Sequence, residues 1–255
     1  MNWMKKVAVA LVCLLPLGLQ AAKVDTLQVK SPSMNKSIEV VVVSPDMAAT
    51  EACPVIYLLH GYGGNARTWV GIKPDLPKIA DEKGIFFVCP DGKNTWYWDS
   101  PLNADVRYET FISDELVKYV DSHYKTVADR KGRAITGLSM GGHGAMWNGL
   151  RHSDVFSAAG STSGGVDIRP FPKNWEMSVQ IGEKAKYPEN WEKYTVINLV
   201  PTLRKDQIAL IFDCGDSDFF LEVNKNYHEA LLKQGIDHDL SLIHISEPTR
   251  PRLIS

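Results

Sequence analysis

The sequence predicts an α/β fold built on a mostly parallel β-sheet with helices on both faces. Short apolar runs alternate along the chain with segments in which apolar residues recur at helical spacing. This alternation is typical of parallel strands joined by crossover helices. The chain has 255 residues, 44% of them hydrophobic and 23% charged, so it can form one such domain with a sizeable core.

Six segments carry the strand pattern: residues 37–44, 54–59, 84–89, 133–138, 155–160 and 208–213. A helix is expected after Asp105, which can cap it, and a second over residues 221–234, where Gly235 ends it. Residues 166–202 are rich in Trp, Pro and Lys and lack clear strands. We expect them to form a helical excursion over the edge of the sheet that carries the site.

A glycine-rich turn follows the fourth of these strands. Residues 137–142 read Gly-Leu-Ser-Met-Gly-Gly, at the end of an apolar run and the start of a helical segment. This pattern is typical of a nucleophile elbow, a strained turn that presents a catalytic serine, here Ser139. Gly137 and Gly141 stand two residues to either side of Ser139, where larger side chains would collide.

A second glycine-rich loop, His-Gly-Tyr-Gly-Gly-Asn at residues 60–65, directly follows the second strand. Attack by a serine on an ester produces an oxyanion, which needs two N–H donors already in place. The pattern predicts the backbone amides of Tyr62 and Met140 as these donors. We interpret His60 as a structural residue of the loop, because in hydrolase triads of this type the serine precedes the acid and the histidine.

The serine also needs a base and a carboxylate that orients the base. The loop after the last strand offers Asp213, Asp216 and Asp218, and Asp218 best fits the loop tip. The base should follow after one further strand. His228 and His238 are better explained as surface residues than as this base.

Both ends of the chain are expected to lie outside the folded domain, which we place at residues 23–239. Residues 1–22 have two lysines, an apolar run and an end of Gln-Ala-Ala at 20–22, which predicts a signal peptide and a periplasmic or secreted protein. Residues 240–250 match a translated transposase adapter used in DNA sequencing. We therefore interpret residues 240–255 as non-native read-through that replaces the final strand and helix, and we do not assign His244 as the base.

Several classes of function are disfavoured. A net charge of −2 gives no reason to expect nucleic acid as a partner. No metal-ligand or dinucleotide-binding spacing is found, so no metal and no cofactor are expected. After signal cleavage no stable membrane span is expected. Cys53, Cys89 and Cys214 are expected to be small buried residues, and the sequence carries no signal for the oligomeric state.

These motifs together resemble the esterase D family of α/β-hydrolases over residues 31–239. The resemblance depends on residues 60–65, 96–101, 108–111, 137–145 and 212–220. It implies an α/β-hydrolase fold, Ser139 as nucleophile, Asp218 as acid, and Tyr62 and Met140 as amide donors. It also implies a base near Glu247, where this chain has no histidine.

The expected function is that of a secreted serine carboxylic ester hydrolase that forms an acyl-enzyme. The expected partner is a small-molecule or polysaccharide ester, with acetyl or feruloyl esters of polysaccharide suggested by the resemblance. The alternatives are acyl transfer to a sugar and a non-catalytic carbohydrate-binding protein of the same fold. Trp96 and Trp98 are candidates for a substrate-binding wall, with packing as an equal alternative.

Overall fold

A computed structural model describes residues 22–243, which contain one eight-stranded sheet. Its order is β1-β2-β4-β3-β5-β6-β7-β8; β1 and β2 are antiparallel to their neighbours, and all other pairs are parallel. The strands are β1 (Lys23–Ser31), β2 (Lys36–Ser44), β3 (Val55–Leu59), β4 (Phe86–Pro90), β5 (Arg133–Gly137), β6 (Ala158–Thr162), β7 (Ala209–Gly215) and β8 (Asp239–Ile243). The predicted mostly parallel α/β fold is confirmed.

Helices connect the parallel strands, as the alternating pattern predicts. They are α1 (Thr68–Ile72), α2 (Leu76–Lys83), α3 (Tyr108–Thr110), α4 (Leu116–His123), α5 (Met140–Arg151), α6 (Met177–Ile181), α7 (Pro188–Lys193) and α8 (Leu221–Gln234). A π-helical turn, Phe111–Glu115, joins α3 to α4, and 3-10 turns cover Asp46–Ala49, Arg130–Gly132 and Val196–Thr202. Within residues 22–243, no helix is both long and apolar enough to cross a membrane.

Both faces of the sheet are covered around β2, β3 and β4. On β2, Val40 and Val42 belong to the larger core cluster, whereas Val41 and Val43 belong to a smaller cluster on the opposite face. Successive side chains of a strand point to opposite faces, so a continuous run of valines fills both clusters. This explains why the strand reads as a β-branched run.

The helix expected after Asp105 begins later and is capped differently. The Asp105 N–H donates to Asn103 Oδ1 (2.9 Å). The carboxylate that holds the helix start belongs to Asp99, which accepts hydrogen bonds from the Thr110 N–H (3.0 Å) and hydroxyl (2.6 Å). The proposed Asp105 cap is therefore wrong.

The expectation that the final strand is missing is also wrong, because β8 pairs in parallel with β7. β8 begins at Asp239, so four of its residues, 240–243, belong to the segment interpreted as read-through. The edge of β7 is available for pairing, and Leu240 and Leu242 alternate with polar residues as in a strand. The expected loss of the final helix concerns residues outside those described, as does the signal peptide.

Helical turns dominate residues 166–202, as expected, with α6, α7 and a 3-10 turn. Cys53, Cys89 and Cys214 are all buried, which agrees with their expected role as small core residues. Burial raises the pKa of the Cys89 thiol, so this cysteine stays protonated and unreactive.

Candidate active site

Ser139 lies at the sharp bend between β5 and α5, at the C-terminal edge of the sheet. Its backbone has φ 56° and ψ −112°, a conformation that L-residues rarely adopt. Two hydrogen bonds hold the bend: the Ser139 N–H donates to Thr162 O (2.8 Å), and Ser139 O accepts from the His143 N–H (3.0 Å). The side chain is half-buried, so the geometry is that of an elbow with an accessible hydroxyl.

Two glycines make this bend possible. A Cβ on Gly137 would lie 2.2 Å from Gly141 O, and a Cβ on Gly141 would lie 2.2 Å from Leu59 O. Both neighbours are backbone atoms, which cannot move aside cheaply. The end of β5, the start of α5 and the end of β3 therefore approach more closely than any side chain would permit.

The loop after β3 runs alongside Ser139, because β3 and β5 are adjacent and Leu59 pairs with Gly137. A Cβ on Gly61 would be 3.6 Å from the Cβ of Ser139. The loop closes as a turn in which the Gly64 N–H donates to Gly61 O (3.0 Å), with Gly63 at φ 76°. Tyr62, a predicted amide donor, occupies the turn position next to Gly61.

Neither predicted amide donor is engaged by another described residue. Within residues 22–243, the N–H groups of Tyr62 and Met140 donate no hydrogen bond to the protein. Met140 is the first residue of α5, where the helix dipole places partial positive charge. An anionic oxygen near Ser139 would therefore meet N–H donors and a favourable local potential.

His60 is a buried residue of this loop and is 1% exposed. Its Nδ1 is 2.8 Å from Gly61 O, an acceptor, and its Nε2 accepts from the Gly92 N–H (2.9 Å). These partners require the proton on Nδ1 and leave neither nitrogen available for Ser139. These contacts agree with the structural role expected for His60.

His143, on α5, has the same pattern of contacts. Its Nδ1 is 2.8 Å from Gly165 O, and its Nε2 accepts from Trp98 Nε1 (2.8 Å). The ring is fully buried, and desolvation lowers its pKa to about 4. His143 is therefore neutral at physiological pH.

Asp218 lies in the loop between β7 and α8 and is half-buried. Its N–H donates to Gly215 O (3.1 Å), and its Oδ1 accepts from the Phe220 N–H (2.8 Å). Of the two alternatives, Asp213 lies within β7 and accepts from the Thr162 hydroxyl (3.0 Å), while Asp216 is exposed. Asp218 is the carboxylate at the loop tip, as the sequence indicates.

The other described histidines are engaged away from Ser139. His123 contacts Tyr119 O, His152 contacts Glu109, and His228 pairs with His238 at 2.7 Å. His244 lies outside the described residues. The base that Ser139 would need is thus not identified among residues 22–243.

Trp96 and Trp98 are both fully buried, which favours packing over a substrate-binding wall. Their rings stack with centroids 5.6 Å apart, and Trp96 donates from Nε1 to Trp175 O (3.2 Å). Trp96 has a positive φ of 58°. Sequence alone could not distinguish buried from exposed aromatic residues in this loop.

Comparison with known proteins decides the family. The family model "Esterase", described as "Putative esterase", matches residues 31–235, well over half of the chain. The chain belongs to this family. An acetyl esterase of Caldicellulosiruptor saccharolyticus is 26% identical over 206 residues, covering 74% of this chain and 74% of that protein.

Two further relatives of this esterase extend the comparison. An esterase of Mycobacterium tuberculosis is 30% identical; the match covers 89% of this chain but only 56% of that longer protein. A solved structure of a ferulic acid esterase superposes with a TM-score of 0.73 at 28% identity, covering 88% of this chain and 91% of that one. The resemblance drawn from the motifs is therefore confirmed, and so is the α/β-hydrolase fold.

The esterase also has aromatic residues beside Asp218 that sequence reasoning missed. Phe219 is 61% exposed, and its ring stacks on Trp175 with centroids 5.2 Å apart. Phe220 packs against both rings. Their position directly after the predicted acid is the signal that could have identified them.

Proposed function

We propose that this esterase is a serine carboxylic ester hydrolase that works through an acyl-enzyme. Ser139 attacks the ester carbonyl, the alcohol leaves, and water then releases the acid. The observation that carries the proposal is the positive φ of Ser139 at the N-terminus of α5, beside two N–H groups without a protein acceptor in the described residues. A serine held on such a bend at the start of a helix is typical of serine nucleophiles.

The proposed role of the Tyr62 and Met140 amides is to stabilise the oxyanion of the tetrahedral intermediate. Donors fixed before the reaction need no reorganisation as charge develops, which is why they act on the transition state. Loss of one such donor typically costs about 2.7–4 kcal/mol of transition-state stabilisation. This term would persist even where the base is weak or absent.

Asp218 is proposed as the acid that orients the base. The six described histidines have other partners, so we propose that the base comes from residues beyond Ile243 in the natural gene product. We further propose that His244 is not this base, because residues 240–250 match adapter sequence. A chain carrying the natural C-terminus in place of residues 240–255 would then be far more active than the chain that ends in the adapter-like segment.

Acetyl or feruloyl esters of polysaccharide are the proposed substrates, and the periplasm or the exterior the proposed location. The printed names of two relatives, an acetyl esterase and a ferulic acid esterase, support the acyl groups. The location is supported by the signal-peptide pattern of residues 1–22.

The decisive test is hydrolysis of p-nitrophenyl acetate and methyl ferulate by the chain with its natural C-terminus. Ser139→Ala should lower kcat by about 10⁴-fold or more, since the nucleophile is lost, with the melting temperature preserved. Ser157→Ala, which removes a hydroxyl that donates to Arg133 O, is the matched control and should retain activity. Turnover that survives Ser139→Ala would contradict the proposal, and product analysis with added sugar would detect acyl transfer instead.

A further inference from the structure

A strained loop lies behind the predicted oxyanion donor. We call residues 61–64 the oxyanion loop and residues 91–97 the supporting loop. We propose that His60 and Asn94 are positioning residues, which fix two peptide groups of the oxyanion loop so that the Tyr62 N–H faces Ser139. The inference rests on the proposed function, because it assigns the Tyr62 amide a role in catalysis.

The contact of His60 acts on the peptide group that contains the Tyr62 N–H. Gly61 O accepts two hydrogen bonds, one from His60 Nδ1 (2.8 Å) and one from the Gly64 N–H (3.0 Å). This peptide is trans, so its C=O and its N–H point to opposite sides. Holding the Gly61 carbonyl toward His60 therefore aims the Tyr62 N–H away from His60.

Ser139 lies close to the Gly61–Tyr62 peptide group. A Cβ on Gly61 would approach both Leu138 O (3.3 Å) and the Cβ of Ser139 (3.6 Å), so the oxyanion loop runs directly along the bend. The N–H has no acceptor among the described residues. An oriented donor without a protein partner is what an incoming oxyanion requires.

The supporting loop fixes the tautomer and position of His60. The Gly92 N–H donates to His60 Nε2 (2.9 Å), which requires that the proton be on Nδ1. The Tyr97 hydroxyl donates to His60 O (3.1 Å). Asp91 Oδ1 lies 3.5 Å from His60 Nε2, but that oxygen also accepts from the Lys93 N–H (2.9 Å). The ring is thus held on both nitrogens by backbone groups.

Asn94 of the supporting loop holds the next peptide group. Its Oδ1 accepts from the Gly63 N–H (2.9 Å), and its Nδ2 donates to Glu176 Oε2 (3.3 Å). Gly63 has a positive φ of 76°, which few residues other than glycine adopt. A fixed acceptor for its N–H, here Asn94 Oδ1, favours this conformation of the turn over others. The bond to Glu176 connects the arrangement to the excursion of residues 166–202.

The supporting loop is itself held in an uncommon conformation. Lys93, Trp96 and Tyr97 have φ values of 49°, 58° and 60°. A Cβ on Gly92 would lie 2.1 Å from the Tyr97 ring. Non-glycine residues with positive φ persist where the surroundings impose them, and such residues cluster at functional sites. We infer that the strain is retained because this shape presents the Gly92 N–H and Asn94 to the oxyanion loop.

The test compares kcat and KM for p-nitrophenyl acetate in variants of the chain with its natural C-terminus. Asn94→Ala should lower kcat about tenfold and leave KM within about twofold, because a misdirected donor weakens only the transition state. Asn94→Asp combined with Glu176→Gln keeps the acceptor for Gly63 and avoids two facing carboxylates, so it should recover most of kcat. Asn198→Ala, which removes an amide that likewise contacts a glutamate, Glu192, should leave kcat unchanged.

Substitutions of His60 provide a second test of the proposal. His60→Phe should lower kcat about 100-fold, the effect of losing one oriented donor. His60→Asn places an N–H near the position of Nδ1 and should therefore retain a higher kcat than His60→Phe. If His60→Phe does not fold, the Asn94 series decides. A rise in KM with unchanged kcat in Asn94→Ala would overturn the proposal.

A readout independent of turnover separates this inference from the proposed function. NMR of labelled protein should show that the His60 ring carries its proton on Nδ1. The Tyr62 amide resonance should shift in Asn94→Ala but not in Asn198→Ala. If the chain with its natural C-terminus shows no turnover that depends on Ser139, the proposed function fails, while the Tyr62 amide resonance still tests the positioning role of Asn94. An unchanged Tyr62 amide resonance in Asn94→Ala would overturn the positioning role of Asn94.

Discussion

The centre of the sheet and its β7–β8 edge are built in different ways. Around β5, backbone approaches backbone so closely that a single added Cβ would lie 2.2 Å from a carbonyl oxygen. At β7, one face packs into the core, but Ile211 on the other face is 61% exposed, and Leu242 of β8 is 46% exposed. The proposed nucleophile and oxyanion donors thus lie in the closely packed part of the sheet, and the proposed acid follows a strand covered on one face.

The largest expected effect tests whether the core-facing side of β7 contributes as much to stability as the centre of the sheet. Phe212 on β7 is fully buried and contacts Tyr227 and His238. Phe212→Ala should lower the free energy of unfolding by about 3–5 kcal/mol, because it leaves a cavity that the sheet cannot close. Denaturant unfolding followed by circular dichroism measures this; a loss below about 1 kcal/mol would mean that the edge is not part of the cooperative core.

At the centre, Gly141→Ala should lower the free energy of unfolding by about 3 kcal/mol, the upper end of overpacking costs. The new Cβ would press on Leu59 O and His60 O and displace the start of α5. Gly71→Ala is the control, since a Cβ there meets nothing within 4 Å and alanine favours a helix. Equal unfolding midpoints for the two variants would contradict the close-packing argument.

Burial of His143 predicts that the free energy of unfolding falls in acid. Its pKa is about 4 in the folded protein and near 6.5 when exposed, so the unfolded chain binds a proton first as the pH falls. Stability from this group is complete above pH 6.5 and declines down to pH 4, by about 3 kcal/mol in total. His143→Gln should remove that part of the decline in unfolding curves measured across this range. The exposed His123→Gln, as control, should not.

The smallest expected effect is on the solvent-facing side of β7. Ile211→Ser should change the free energy of unfolding by no more than about 0.5 kcal/mol, because the side chain is already largely in water. The melting temperatures of Ile211→Ser and Phe212→Ala, measured together, compare the two faces of β7 at adjacent residues. A large loss in Ile211→Ser would show that this face is covered in solution.

The same contrast explains what sequence could predict. Gly137 and Gly141 flank Ser139 because backbone atoms meet there, and a constraint of that kind is visible in a single sequence. The helix start is different: it is held by Asp99, eleven residues before Thr110, and local pattern pointed to Asp105. Long-range partners of this type leave no periodic signal.

The aromatic residues and the last strand show the same limit. Trp96 is buried and has a positive φ, and nothing in its local sequence requires either. The strand β8 forms because β7 offers an open edge, which is a property of the assembled sheet. Asn94 reaches Gly63 from a loop 31 residues away, so its contact could only be found from the structure.

The burial of His60 and His143 has a practical consequence for chemical labelling. Diethyl pyrocarbonate carbethoxylates neutral imidazoles that solvent can reach, and these two rings are shielded with both nitrogens occupied. Inactivation by this reagent would therefore report on some other histidine. Mapping the modified peptide would then identify the histidine whose modification abolishes activity.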